Sequence, residues 1–350
     1  MGKRIVVVGA GAIGGYAGGH MARGGEDVTL IDPWPAHVDH INAHGLRIEG
    51  VTSQEACTIK VKAIHMTDVQ QLSKEKPVDI AFVSTKSYDT EWATAMIKQY
   101  LVPDGIVVSL QNCMNEDTVA RVAGKERTLG CIASTIAAEL VTPGHVQRNV
   151  PLGDEKHAVF RVGELHGRIT ERAEEVARLM RHADTATVIT NLWGERWTKL
   201  IVNVMRNGLS AATGMSGKER DSNPVTRNVS LRLGAEAVRV GRALGYTLEK
   251  PAGMEADTIL AAVEGDKTAR AEVDALLDAQ VKARSEDQRP SMGQDMRKGR
   301  RTEIELINGL VADKGDEVGI PTPVNKGLVE VVMRVERGEL DPSPDNVANL

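Results

Sequence analysis

The sequence predicts an α/β chain: a doubly wound, largely parallel sheet in its first part, followed by an all-α part. Three observations carry this. Short, largely apolar runs (Val6-Val7-Val8, Asp27 to Ile31, Pro77 to Thr85, Ile106 to Gln111) alternate with helical stretches, the rhythm of βαβ units. The first run breaks into a glycine-rich turn, Gly9-Ala10-Gly11-Ala12-Ile13-Gly14, and continues as a helix from Gly15 to Arg23. From Glu195 onward strand signals almost vanish and helical periodicity takes over. The expected division is residues 1–190 for the sheet domain, 191–338 for the helical domain and 339–350 for a mobile tail.

The glycine turn is the centre of the chain. Gly9 allows the tight turn, Gly11 lets backbone N–H groups approach a pyrophosphate, and Gly14 lets the helix pack close to the strand. Ala12 and Ile13 open the helix, whose unpaired N–H groups and dipole favour an anion there. A bare Gly-x-Gly-x-x-Gly is weak evidence, since glycines also collect in ordinary turns. Here a second strand, Asp27 to Ile31, follows and ends in Asp32. An acid roughly 20 residues beyond the glycines is where a Rossmann-type dinucleotide site accepts ribose hydroxyls and repels a 2′-phosphate. No Arg or Lys follows until Arg47, so NAD is favoured over NADP. The alternative is that Asp32 only caps the next turn.

Composition narrows the partners. At 350 residues the chain exceeds one ordinary core, and 41% hydrophobic residues suffice for two. The net charge of −5, with both signs interspersed, supplies no basic field for nucleic acid or an anionic membrane, so a small molecule is the expected partner. Three cysteines without a Cys-x-x-Cys, and no His pair at metal spacing, speak against a disulfide framework or a metal site. No apolar run approaches the roughly 20 residues needed to span a bilayer, and a cytoplasmic protein is expected.

Further along, Pro33-Trp34-Pro35 breaks the chain, His37 to His44 reads as a short helix, and Leu46 to Val61 as a strand pair. Lys86 stands just past the strand ending at Thr85, and Asn112 just past the one ending at Gln111. Ligands of open α/β sheets lie at that edge. Each alone is ordinarily a solvated loop residue; two at neighbouring strand ends point to the cofactor. Val150 to Gly153 is expected to begin an edge strand, and Arg168 to His182 to form a helix.

The helical part opens with Trp197-Thr198-Lys199-Leu200-Ile201-Val202-Asn203, followed by Asn207. Lys199, Asn203 and Asn207 are four apart and share a face, drifting about 40° per step. A lone helical Lys is ordinarily a solvated charge; one in line with two amides can place a substrate beside an ammonium. Ser222 to Leu244 and Asp257 to Arg284 read as further helices, Gly315 as the end of another, and Val324 to Arg337 as the last. Ser291 with Gln294, and Thr302 with Glu305, have capping-box spacing, which gives both hydroxyls a structural alternative.

Four pieces in this order carry a resemblance: Gly9 to Gly14, the strand ends at Lys86 and Gln111-Asn112, Trp197 to Asn203 with Asn207, and Ser291-Met292-Gly293-Gln294-Asp295 through Thr302-Glu303-Ile304. The chain resembles the ketopantoate reductase (2-dehydropantoate 2-reductase) family over roughly residues 3 to 335. The resemblance implies a Rossmann domain joined to a helical one with the active site in the cleft between them, and an NAD(P)-dependent hydride transfer between a 2-oxo acid and a 2-hydroxy acid. It implies Lys199 as general acid, Glu303 as the acid holding the substrate's hydroxyl side, Ser291 as a carboxylate contact, Asn203 and Asn207 as orienting amides, and Lys86 and Asn112 on the cofactor side.

Three departures from the family pattern stand out. Asp32-Pro33-Trp34-Pro35 replaces an Arg-containing turn that grips a 2′-phosphate; Gly208 and Cys113 stand where Pro and Gly are usual; and there is extra length before residue 190 and between 245 and 290. They leave open a catabolic alcohol dehydrogenase of the same family. A dinucleotide-binding sensor without turnover, and an opine-type or phosphogluconate-type dehydrogenase, are the other readings. A homodimer is left open.

Overall fold

The structure, a computed structural model, describes residues 2–154, 158–284, 286 and 288–350. It divides into two compact units, Met1–Leu192 and Trp193–Leu350. The strands defined among the described residues are β1 (Arg4–Val8), β2 (Asp27–Asp32), β3 (Leu46–Glu49), β4 (Cys57–Ile59), β5 (Lys62–His65), β6 (Val78–Val83), β7 (Leu101–Ser109), β8 (Thr128–Ala133), β9 (Ala138–Thr142), β10 (His145–Arg148), β11 (Phe160–Glu164) and β12 (Ala186–Ile189). The helices of this unit are α1 (Ala12–Arg23), α2 (Pro35–His44), α3 (Thr90–Lys98), α4 (Glu116–Ala123) and α5 (Glu171–Met180).

The large sheet runs β12-β11-β8-β7-β6-β1-β2-β5. Its stretch from β5 to β8 is parallel and has the order of a dinucleotide-binding sheet, with β11 added antiparallel to β8. All five residues of β1 are buried, as a strand covered on both faces must be. The chain reverses direction across the sheet between β1 and β6, so the carboxyl ends of these strands form a switch point.

A second sheet, β4-β3-β10-β9, lies on the outer side of α1. It absorbs the Leu46 to Val61 strand pair and joins it to a hairpin that turns at Gly144. Val150 to Gly153 is not an edge strand: the Val150 and Pro151 carbonyls accept from the buried Arg148 guanidinium, which also pairs with Asp184. Between the two sheets α1 is held by close contacts. A Cβ at Gly14 or Gly18 would lie 2.0 Å from the Gly9 oxygen or 2.6 Å from Leu30 Cδ2; one at Gly19 would lie 2.9 Å from both Leu46 Cδ2 and Ile48 Cδ1.

The second unit holds α6 (Leu192–Thr213), α7 (Gly217–Ser222), α8 (Pro224–Ala243), α9 (Ala256–Glu264), α10 (Lys267–Ala283), α11 (Ser291–Arg297), α12 (Ile304–Val318) and α13 (Pro323–Glu336). The helix expected from Ser222 starts at Pro224, because the Asn223 side chain accepts from the Val225 and Thr226 N–H groups and caps it there. The stretch from Asp257 to Arg284 is two helices, separated by Gly265 in the left-handed region and capped anew by Asp266. Gly315 does not end its helix; α12 runs on to Val318 and stops at Gly319, while Gly315 admits the returning chain, a Cβ there lying 2.7 Å from the Ile320 oxygen. Buried Glu236 of α8 accepts from the Val324 and Asn325 N–H groups and caps α13. Residues 339–350, expected as a mobile tail, fold back: Val347 is fully buried and the Asn346 amide donates to the Ala212 carbonyl. Among the described residues no helix is long and apolar enough to cross a membrane.

Candidate active site

At the carboxyl edge of the large sheet the glycine turn has the geometry of an anion cradle. Gly9 has φ +93°, and a Cβ there would lie 2.8 Å from the Thr85 nitrogen. A Cβ at Gly11 would meet nothing within 4 Å, so the loop opens outward at that point. The N–H groups of the first turn of α1, from Ala12 and Ile13 onward, lack intrahelical partners by construction. A pyrophosphate fits both features, the open approach at Gly11 and the donors behind it.

Asp32 is buried and holds the turn from behind. One carboxylate oxygen accepts the Ala10 N–H at 2.9 Å and the other the Trp34 N–H at 2.9 Å. The turn-capping role is therefore present, and a carboxylate's roughly four acceptor positions leave it compatible with ribose hydroxyls. His37, which sequence reasoning missed, grips Ala10 from the other side. Its Nδ1 accepts the Gly144 N–H at 2.8 Å, so Nε2 carries the hydrogen and donates to the Ala10 carbonyl at 2.9 Å. Both polar groups of Ala10 are thus committed to the protein, and the N–H groups beyond it are the ones an anion would meet. A histidine 107 positions from its partner gives no local signal.

Lys86 follows β6 and Asn112 follows β7, both half-buried at the same edge. Between them Gln111 ties the loops together, its amide donating to the Thr85 carbonyl and to Thr90 Oγ1, each at 2.9 Å. Thr85 Oγ1 is buried without a hydrogen-bond partner. Cys113 has φ +64°, the left-handed conformation that favours glycine, so a side chain stands where the backbone suits its absence.

In the second unit α6 carries Lys199, Asn203 and Asn207. Trp197, 1% exposed, anchors the helix by donating from Nε1 to the Ala237 carbonyl at 2.9 Å, and a Cβ at Gly241 would lie 2.3 Å from that nitrogen. Lys199 is half-buried and Asn203 and Asn207 are buried. Asn203 Nδ2 has no hydrogen-bond partner among the described residues. An amide N–H left unmet in a buried position costs about 1–3 kcal/mol, which a ligand can relieve.

Two further segments pack on α6. A Cβ at Gly208 would meet Ile304 Cδ1 at 2.9 Å and Leu328 Cδ2 at 2.8 Å, and Asn308 donates to the Val204 carbonyl at 3.3 Å. Glycine at 208 thus admits α12, which brings buried Glu303, its N-cap residue, to the same stretch of α6. Gly293 of α11 lies against Ser210, where a Cβ would come 2.4 Å from Oγ, so Ser291 stands near the end of the Lys199 face. Neither capping box forms. Pro290 is the N-cap of α11, with no side-chain cap bond, and Thr302 bonds Glu336 Oε2 from both its N–H and its hydroxyl. Ser291, Glu303, Asn203 and Asn207 are therefore assembled within one unit. Gly9 to Gly14, Asp32, Lys86 and Asn112 are assembled within the other.

Residues 5–156 match the family described as Ketopantoate reductase PanE/ApbA, and residues 191–336 match that described as Ketopantoate reductase PanE/ApbA C terminal. The chain belongs to the ketopantoate reductase family. It is an oxidoreductase of the class that acts on CH–OH groups. A protein named 2-dehydropantoate 2-reductase from Archaeoglobus fulgidus is 31% identical over 340 residues, covering 96% of this chain and 99% of its own. The crystal structure of a PanE/ApbA family ketopantoate reductase from Ralstonia eutropha JMP134 superposes with a TM-score of 0.77 at 28% identity, covering 96% and 99% of the two chains. A D-mandelate dehydrogenase, solved with NADH and anilino(oxo)acetate, shares the fold with a TM-score of 0.78 at 24% identity, covering 96% and 98%.

Proposed function

We propose that this protein is a reductase of 2-oxo acids that prefers NADH, with the dinucleotide on the first unit and the substrate on the second. The observation that carries the substrate side is the buried, unmatched amide of Asn203, one turn from Lys199. When bound, the nicotinamide supplies a hydride to the carbonyl carbon. The protein's part is at the oxygen. Charge develops there as the C=O π bond breaks, and the Lys199 ammonium stabilises it and donates the proton that completes the hydroxyl. An ammonium is the ordinary form of lysine at neutral pH, and it is the form a general acid needs. The lysine then regains a proton from water. Asn203 and Asn207 orient the substrate, Glu303 its hydroxyl side and Ser291 its carboxylate. On the dinucleotide side, Gly9, Gly11, Ala12, Ile13 and Gly14 hold the pyrophosphate, Asp32 the ribose, and Lys86 and Asn112 line the strand ends.

Initial rates of NADH and NADPH oxidation with ketopantoate as acceptor test this directly. NADH is expected to be the better reductant, because Asp32 repels a 2′-phosphate and no arginine follows in its turn. Rapid turnover with NADPH and little with NADH would overturn that role for Asp32.

Asn203→Leu separates ligand recognition from architecture. Removing an unmet buried amide is expected to raise stability by about 1 kcal/mol, read as the urea midpoint, while kcat/KM falls by about tenfold or more. A loss of stability with unchanged kcat/KM would show Asn203 to be a structural residue.

A further inference from the structure

The face of α6 that carries Lys199 holds two more charged residues, Glu195 and Arg206. At about 100° per residue, Arg206 lies about 20° from the line of Lys199, closer than Asn207 at about 80°. The half-buried residues Glu195, Lys199, Val202 and Arg206 follow one another along this side, while Trp197, Ile201, Val204 and Gly208 face the core. The Arg206 head reaches α10, where it donates to Gln280 Oε1 at 2.7 Å.

Among the described residues its surroundings hold more cations than carboxylates: Arg206, Arg220 and Arg284 gather around Asp221, whose Oδ1 accepts from Arg220 Nε at 2.7 Å and whose Oδ2 accepts from Arg284. Arg227 nearby is matched by Asp274 and Asp278. Arg206 donates to the neutral Gln280 Oε1 at 2.7 Å, and among the described residues it pairs with no carboxylate. Burial, followed by Arg220 and Arg284, pushes its guanidinium down to about 9, still protonated at neutral pH. Two residues whose donors meet no anionic partner among the described residues, Asn203 and Arg206, thus stand about one turn apart on α6, on the side of Lys199. Uncompensated cations in a desolvated site are costly, and an anion brought in by the ligand offsets that cost.

We infer that Arg206 is a specificity-determining residue that reads a second anionic group of the substrate, making this protein a reductase of 2-oxo acids with a distal carboxylate. The inference rests on the reductase function proposed above. The carboxylate adjoining the reacting carbonyl must stay beside Lys199. Arg206, about 10 Å further along the helix axis, meets a group several bonds away.

The test compares ketopantoate with 2-oxoglutarate and 2-oxoadipate, with NADH, in wild type, Arg206→Met and Arg206→Lys. The expected result is a higher kcat/KM for a dicarboxylic acid in wild type. The dicarboxylate-to-ketopantoate ratio should fall about 10–100-fold in Arg206→Met, chiefly through KM, as for one charge-assisted hydrogen bond, and less in Arg206→Lys. Circular dichroism and urea midpoints confirm that the variants fold. An unchanged ratio in folded Arg206→Met, or equal losses on all three acids, overturns the inference. Calorimetric titration with 2-hydroxyglutarate and pantoate tests the site without turnover. Preferential binding of the dicarboxylate that depends on Arg206 supports the anion subsite even where no acid is reduced, in which case it is the reductase function that fails. Equal binding of both acids overturns the subsite.

Discussion

Replacing Lys199 by alanine is expected to lower kcat by about 10²–10⁴-fold, the usual worth of a positioned general acid. NADH affinity, followed by fluorescence titration, should stay within about twofold, since the glycine turn and Asp32 belong to the other unit. Lys199→Arg divides the effect. Arginine keeps the positive charge but holds its proton far more tightly than lysine and so is a poor proton donor, and a variant that recovers only part of the rate assigns the rest to proton transfer. A Lys199→Ala enzyme within a few-fold of wild type would show that the oxygen is protonated by another group, and the role given to Lys199 would fall.

The second large effect is expected at Gly14. Here alanine would place its Cβ 2.0 Å from the Gly9 carbonyl oxygen and 2.2 Å from Ser84 Oγ. The nearer obstacle is backbone, and Ser84 is itself fixed by its bond to the Gly9 oxygen at 2.7 Å. The start of α1 must therefore move away from β1. Overpacking of this kind costs about 1–3 kcal/mol or more, against about 1 kcal/mol gained by alanine over glycine in a helix. Gly14→Ala should lower the urea midpoint and weaken NADH binding together, because the displaced turn no longer presents its N–H groups in register. Unchanged affinity with unchanged stability would mean that the turn neither packs as described nor holds the pyrophosphate.

How much of this was legible in the sequence depends on how local each feature is. The glycine turn was readable because strand, turn and helix are contiguous, and Asp32 because the interval to it is fixed by one helix and one strand. Lys199, Asn203 and Asn207 were readable because helical periodicity alone puts them on a common face. The grip of His37 on Ala10 was not, since its other partner is Gly144 on a distant hairpin. The same holds for the second sheet, whose central pairing joins β3 to β10 across about a hundred positions. Thr302 had the spacing of a helix cap and bonds Glu336 instead. Local spacing states what a side chain can do, and tertiary contact decides which of those options is taken. Gly208 shows the converse: it departs from the family's usual proline, and the approach of Ile304 and Leu328 gives its small size a reason that no neighbour in sequence supplies.

The helix behind the glycine turn lies between two sheets, with glycines turned to each. A phosphate-binding loop that must become ordered around its ligand loses conformational entropy on binding. This one has its shape imposed by packing on both flanks before any ligand arrives, so that cost is small. The same packing makes the cradle part of the cooperative core instead of a segment that frays on its own. Dinucleotide bound there as proposed is expected to stabilise the whole first unit, by RT ln(1 + [L]/Kd), about 2.7 kcal/mol at a hundred times Kd.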